Sequence, residues 1–270
     1  HTPVRYAWDQ MHAYLDSSFL ARGPLGPLVR LQLHQLRQWD AISSLRVDEL
    51  VANSRFTARR IWRCWRRRAH VVHPPVAVER FRWDQPRNDV YLCLCRLVPN
   101  KRVDLVVQAF ARTGLPLVVI GEGPERGRLE AMASPNIRFL GRISDREACG
   151  WLEQCRAYVY AGLEHFGIAP VEAMAAGAPV IAYGAGGLLD SVRCLRRDGE
   201  APATGLLFPD QSASCLAAAL EHFEQGQLWL HLPAERQRQW AERFSAEVFR
   251  RRMLVLLEQA WNRHSGRLRS

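Results

Sequence analysis

From about residue 88 the chain alternates short apolar runs with longer stretches of helical periodicity. VYLCLCRL (90–97), LPLVVIG (115–121), NIRFLG (136–141), AYVYAG (157–162), APVIAYG (178–184) and GLLF (205–208) predict strands. Residues 101–113, 124–133, 144–155, 169–176 and 212–225 predict helices. Strands separated by helices of this length require βαβ crossovers, hence an α/β, doubly wound parallel sheet with helices on both faces. Ligands of such sheets lie beyond the carboxyl ends of the strands, which directs attention to the loops that follow them.

Residues 1–87 have a different pattern. Helical periodicity over 5–20 and 28–46 precedes a strand DELVANS (48–54), a basic helix RFTARRIWRCWRRR and a strand AHVVHPP ending at Pro74-Pro75, a hinge-like pair. Two parallel strands are too few to bury their faces, and the chain opens on His1 rather than Met. This segment is therefore expected to be the end of a domain that begins upstream. At the other end, FSAEVFRRRMLVLLEQAW predicts a long amphipathic helix with Ser245 as N-cap. The expected division is 1–87, 88–245, and a helix over 246–270 returning toward the N-terminal part.

Composition narrows the chemistry. Apolar content of 48% over 270 residues is ample for a core and excludes global disorder. No apolar run approaches the roughly 18 residues that span a bilayer. The seven cysteines are odd in number and form no CxxC pair, and the nine histidines form no HExxH; no DxD occurs. The expectation is free thiols in a reducing compartment and no metal site. Net charge is +10, carried almost wholly by arginine; Lys101 is the sole lysine. The basic helix over 59–68 is read as burying Ile61 and Trp65 beneath a solvated arginine face, with docking on an anionic membrane as the alternative. No nucleic-acid-binding pattern accompanies the charge.

Three strand-end loops carry candidate chemistry. CRLVPNKR places Arg96 and Lys101 five apart after the first strand of this region, a spacing that suits two adjacent phosphates; two solvated charges beside a turn explain it equally well. VVIGEGPE holds Gly121 and Gly123 but does not complete GxGxxG, so a tight turn serves as well. YAGLEHFGIAPVEAMAAG leaves a strand, passes Glu164 and enters a helix near Pro170. The amides of Gly167, Ile168 and Ala169 there open an anion-attracting helix start. Glu172 has a capping alternative in the first turn, whereas Glu164 precedes the helix. Carboxylates accept from vicinal hydroxyls, so the two suit a sugar and a ribose on either side of a diphosphate.

With these motifs in place, the chain resembles the family 4 retaining glycosyltransferases of GT-B fold. Their donor domain carries R-x4-K after its first strand and E-x7-E after its fourth, here Arg96/Lys101 and Glu164/Glu172. GEGP, IRFLGRISD, EAMAAGAPVIA, GGLLDSV and TGLLF also look like the family, most strongly over about 88–265. HTPVRYAWDQ, VANSRF and VHPPVAVERF are similar to a bacterial subgroup of O-antigen and surface-polysaccharide mannosyltransferases. The resemblance implies a Rossmann-like donor domain at 88–245 and a partial acceptor domain at 1–87 lacking roughly its first ninety residues.

The implied reaction is metal-independent retaining transfer of a hexose, foremost mannose from GDP-mannose, to a glycan or polyprenyl-diphosphate-linked acceptor. It would take place in the cytoplasm or at the cytoplasmic membrane face. Arg96, Lys101 and the amides of Phe166, Gly167, Ile168 and Ala169 would hold the diphosphate, Glu164 the donor sugar, and Glu172 the ribose. Leu140, Gly141 and Arg142 would border the base, and His1 would face the donor sugar. A sugar-nucleotide epimerase of the same fold and a binding fragment without turnover stay open.

Overall fold

The computed structural model describes residues 2–8, 11, 15, 23, 25–195 and 203–269. The chain divides into two units, one formed by His1–His73 with Met253–Ser270 and the other by Pro74–Arg252.

In the first unit, α1 (Gly26–Ser44) leads to β1 (Val51–Ala52), α2 (Arg55–Trp65) and β2 (His70–Val71). The strand predicted over 48–54 shortens to two residues, paired in parallel with β2 in the register Val51↔His70. The helix expected over 5–20 falls mostly outside the described residues. Ser54 caps α2 by accepting from the Thr57 amide at 3.0 Å, and Arg66 ends it in the left-handed region at φ 56°. Ile61 is buried and the Trp65 indole donates to Asp40 at 2.8 Å, as the apolar stripe requires. Arg60 departs from the expected solvated face. It is buried, and donates to Thr2 Oγ1 at 2.6 Å and to the Pro3 carbonyl at 3.2 Å. Its position between Arg59, which is exposed, and Ile61 turns it inward.

The second unit contains β3 (Tyr91–Leu94), α3 (Val103–Thr113), β4 (Leu117–Ile120), α4 (Arg126–Ala131), β5 (Ile137–Gly141) and α5 (Asp145–Gln154). It continues with β6 (Tyr158–Tyr160), α6 (Ile168–Ala175), β7 (Val180–Tyr183), α7 (Leu188–Ser191), β8 (Gly205–Phe208), α8 (Ala213–Gln225) and α9 (Ala234–Ala241). Helix α10 (Ala246–Arg269) follows, its Val248 amide donating to Ser245 Oγ at 3.4 Å, the predicted N-cap.

Among the described residues, six strands form a parallel sheet in the order β5-β4-β3-β6-β7-β8. The chain therefore winds outward from β3 in one direction, returns, and winds outward from β6 in the other. The crossovers on the two sides diverge at β3/β6, the place where sheets of this kind take ligands, above the carboxyl ends of the strands.

The opposite, amino end of the sheet is sealed. Tyr91 packs edge-on against Phe110 and Phe223 at 5.2 and 6.2 Å, and donates its hydroxyl to Glu224 at 2.5 Å. Arg156 makes two bonds to Glu224, at 3.0 and 2.9 Å, with its guanidinium 3.8 Å from the Trp229 ring centre. Burial alone would raise the Glu224 pKa, but bonds from Arg156 and Tyr91 outweigh it and hold the carboxyl below its usual value.

Candidate functional site

The loop after β3 is built to hold one conformation. Pro99–Lys101 form a 3-10 turn, and Arg102, at φ 53°, redirects the chain into α3. The loop after β4 lies directly against it. A Cβ on Gly121 would meet the Cys95 carbonyl oxygen at 1.9 Å, and one on Gly123 the Leu97 oxygen at 2.1 Å. Leu97 donates to Glu122 and accepts from Glu125, at 2.9 and 3.2 Å. Close backbone approach thus accounts for both glycines.

This loop carries Lys101 to the neighbouring strand-end loop, although 63 residues of sequence separate Lys101 from Glu164. Lys101 Nζ bonds to Glu164 Oε1, and the Tyr160 hydroxyl donates to that same oxygen at 2.5 Å. The Lys101 and Glu164 side chains are 24% and 16% exposed, so solvent screens the pair only in part. Arg96 stands exposed, and its side chain makes no hydrogen bond or ion pair with another described residue.

After Glu164 the chain turns through Gly167, at φ 89°, into α6. The amides of Gly167, Ile168 and Ala169 open that helix and have no intrahelical acceptor. Phe166 places its ring in the core, edge-on to Phe244 at 5.4 Å, so its contribution to the loop is backbone only. Glu172 occupies the fifth helical position and not the first turn, where α6 has no acidic residue. A capping role is thereby removed, because a capping carboxylate must reach back from the third position. Glu172 instead sits half-buried. Burial raises its pKa, the Arg80 guanidinium opposes that, and Asp145 adds to it.

That shift has a consequence for stability. A carboxyl whose folded pKa lies above its unfolded value favours folding while protonated, and that contribution is lost as pH rises through the folded pKa. Glu172→Gln is therefore expected to raise the melting temperature near about pH 7 and to change it little near about pH 4. Thermal unfolding across this range checks it, and an unchanged or lower melting temperature at neutral pH would show that Glu172 bears no burial cost.

The remaining sequence-predicted residues fall on the same rim. Leu140 and Gly141 end β5, with Gly141 at φ 67°. The Gly141 carbonyl accepts from Gly121 at 2.9 Å, and the Arg142 amide donates to Glu122 at 3.2 Å. Two strand spacings, about 10 Å, separate this turn from the β3 loop. Asp145, whose charge helps raise the Glu172 pKa, opens α5 three residues after Arg142. His1 lies outside the described residues.

Several supporting residues escaped the sequence reading. In the sequence Tyr160 is indistinguishable from the other apolar positions of its strand. The turn after β7 packs on the Glu164 loop: Gly187 donates to the Glu164 carbonyl at 2.8 Å, and a Cβ there would lie 2.0 Å from the His165 oxygen. Gln211 braces the same loop by donating to the Ala161 carbonyl at 2.8 Å. The paired glycines of GAGGLLD were the available signal for the first of these contacts.

All seven cysteines are free, with Cys93 and Cys155 fully buried. Among the described residues no helix is long and apolar enough to cross a membrane, and no group of three or more His, Cys, Asp or Glu side chains could hold a metal ion.

Known proteins share both sequence and architecture with this chain. A phosphatidyl-myo-inositol mannosyltransferase of Mycobacterium leprae is 35% identical over 144 residues, which cover 52% of this chain and 34% of that protein. A GDP-mannose-dependent monoacylated alpha-(1-6)-phosphatidylinositol monomannoside mannosyltransferase of Corynebacterium glutamicum is 28% identical over 206 residues, 64% of this chain and 52% of its own length. The chain thus spans between a third and about half of these relatives. Sucrose-phosphate synthase from Thermosynechococcus elongatus superposes with TM-score 0.71 at 22% identity, covering 93% of this chain and 66% of that one. HepE of Anabaena, solved with UDP-glucose, gives TM-score 0.70 at 19% identity over 83% and 67%. The fold is that of GT-B glycosyltransferases over most of the chain. Residues 78–244 match the family described as glycosyl transferases group 1, and the chain belongs to that family.

Proposed function

We propose that this chain supplies the nucleotide-sugar site of a retaining hexosyltransferase, with GDP-mannose as the foremost donor. The observation that carries the reading is the meeting of Lys101 and Glu164 at the β3/β6 switch point, beside the open amides of α6. An ammonium has three donors, so Lys101 can hold Glu164 and a phosphate oxygen together. Arg96, exposed on the same loop, supplies the second cation. Glu164 would take donor-sugar hydroxyls, Glu172 the ribose diol, and the Leu140–Arg142 turn the base.

In the transfer step the acceptor oxygen bonds to the anomeric carbon on the face the diphosphate leaves. The anomeric C–O bond breaks with its electrons passing to the phosphate oxygen, and that oxygen takes the acceptor proton. Arg96, Lys101 and the Gly167–Ala169 amides stabilise the charge that grows there, without a metal. The names of the mannosyltransferase relatives favour a GDP-mannose donor and a lipid-linked acceptor, which would place the protein at the cytoplasmic membrane face.

Titration calorimetry with GDP-mannose, UDP-glucose and UDP-N-acetylglucosamine, with and without EDTA, tests this reading. Saturable binding of one of them, unchanged by EDTA, is expected. No binding of any, or binding that needs added Mg²⁺, would overturn it. Transfer and hydrolysis assays on the bound donor then separate turnover from binding alone.

A further inference from the structure

Tyr160 ends β6 and is buried, with its hydroxyl turned to the Glu164 loop. That hydroxyl donates to Glu164 Oε1 at 2.5 Å, the oxygen that also takes Lys101. The Lys101 ammonium lies 5.8 Å from the centre of the Tyr160 ring. Space for the hydroxyl is left by a glycine: a Cβ on Gly162 would meet Tyr160 Oη at 2.6 Å and the Lys101 carbonyl at 3.0 Å. A phenylalanine would fill the same pocket and leave the carboxylate without this donor. The hydroxyl is therefore dispensable for packing, and its partner is the Glu164 carboxylate.

We propose that Tyr160 is a positioning residue that holds the Glu164 carboxylate in the orientation that receives the donor sugar, while Lys101 turns to the diphosphate. The inference rests on the reading of Lys101 and Glu164 given above. When Lys101 shares its protons with a phosphate, its hold on Glu164 weakens, and the Tyr160 hydroxyl keeps one oxygen anchored. Sugar hydroxyls then meet a carboxylate whose direction is already fixed. Burial and the Glu164 charge keep the phenol protonated, raising its pKa far above the usual tyrosine value, so it remains a donor throughout.

Isothermal titration of the full chain with a nucleoside diphosphate and with the matching nucleoside-diphosphate sugar tests this. Tyr160→Phe is expected to weaken nucleotide-sugar binding about tenfold. Binding of the diphosphate alone should change by less than about twofold, because Lys101 and the α6 amides are untouched. A purely structural role would lower both affinities together and would shift the melting temperature, which Phe should leave within about two degrees. In a Glu164→Gln background, Tyr160→Phe should have little further effect. Equal loss of both ligands, or no loss of nucleotide sugar in a protein where Lys101→Ala abolishes binding, overturns the inference alone. Absence of nucleotide binding by the unaltered chain overturns the reading beneath it.

Discussion

Lys101→Ala is expected to lower affinity for the nucleoside diphosphate by about a hundredfold, the effect of losing one partly buried, charge-assisted contact worth about 2–3 kcal/mol. Lys101 has that weight because the structure holds its ammonium at the switch point, with its side chain 24% exposed, beside a carboxylate that fixes its direction. Arg96→Ala should cost less, about tenfold, since its guanidinium stands in solvent and is screened. The two losses should also differ in salt. The Arg96 contribution should shrink steadily between about 0.05 and 0.5 M NaCl, and that of Lys101 should persist. Folding should survive both changes, because Glu164 keeps the Tyr160 hydroxyl after Lys101 is removed. Calorimetric affinities at several salt concentrations measure this, and Lys101→Ala binding as well as the unaltered chain would refute the assigned role.

Gly187→Ala should be among the most damaging single methyls in the site. The added carbon would stand 2.0 Å from the His165 oxygen, 2.3 Å from its carbon and 2.5 Å from the Phe166 Cα. All three are backbone atoms and no rotamer change can clear them. The φ of Gly187 is −73°, ordinary for any residue, so the expected effect is steric and not conformational. The turn would have to lift away from the Glu164 loop and surrender the Gly187–Glu164 hydrogen bond. Destabilisation of about 3 kcal/mol or more follows, with a fall in melting temperature of roughly 10 °C for a unit of this size. Nucleotide-sugar binding should be lost with it. Gly150→Ala is the control: it lies inside α5 with open space around its would-be Cβ, and should be neutral or slightly stabilising. If both variants melt alike, the contact between the two loops is not what holds the site.

Much of the site was legible from residue type and spacing. Glu164 stood out because it precedes a helix in an apolar loop where a carboxylate has no capping duty. Lys101 stood out as the sole lysine of an arginine-rich chain. Glu172 was ambiguous, since a carboxyl a few residues past a proline reads as a cap. The helix begins two residues before Pro170, and that start, decided by the turn at Gly167, moves Glu172 out of capping reach. Gly121 and Gly123 were equally undecidable in one dimension. Their need for a bare Cα comes from Cys95 and Leu97, on a different strand end. Tyr160 was hidden because in a buried strand an aromatic residue satisfies the β pattern whether or not its hydroxyl is used. Arg60 was hidden because a basic helix gives no sign of which arginine finds buried acceptors.

The sequence by itself determined the alternation of strand and helix, and with it a parallel doubly wound sheet and a ligand edge at the strand ends. It also determined the chemical kinds gathered there, because periodicity and residue type are local properties that a single chain displays directly. Only the tertiary structure decided which of those residues meet. The order β5-β4-β3-β6-β7-β8 sets two strand ends side by side that are far apart in the chain. Lys101, Tyr160 and Glu164 become one hydrogen-bonded group because strand order is chosen by long-range packing of apolar faces, which no local pattern encodes.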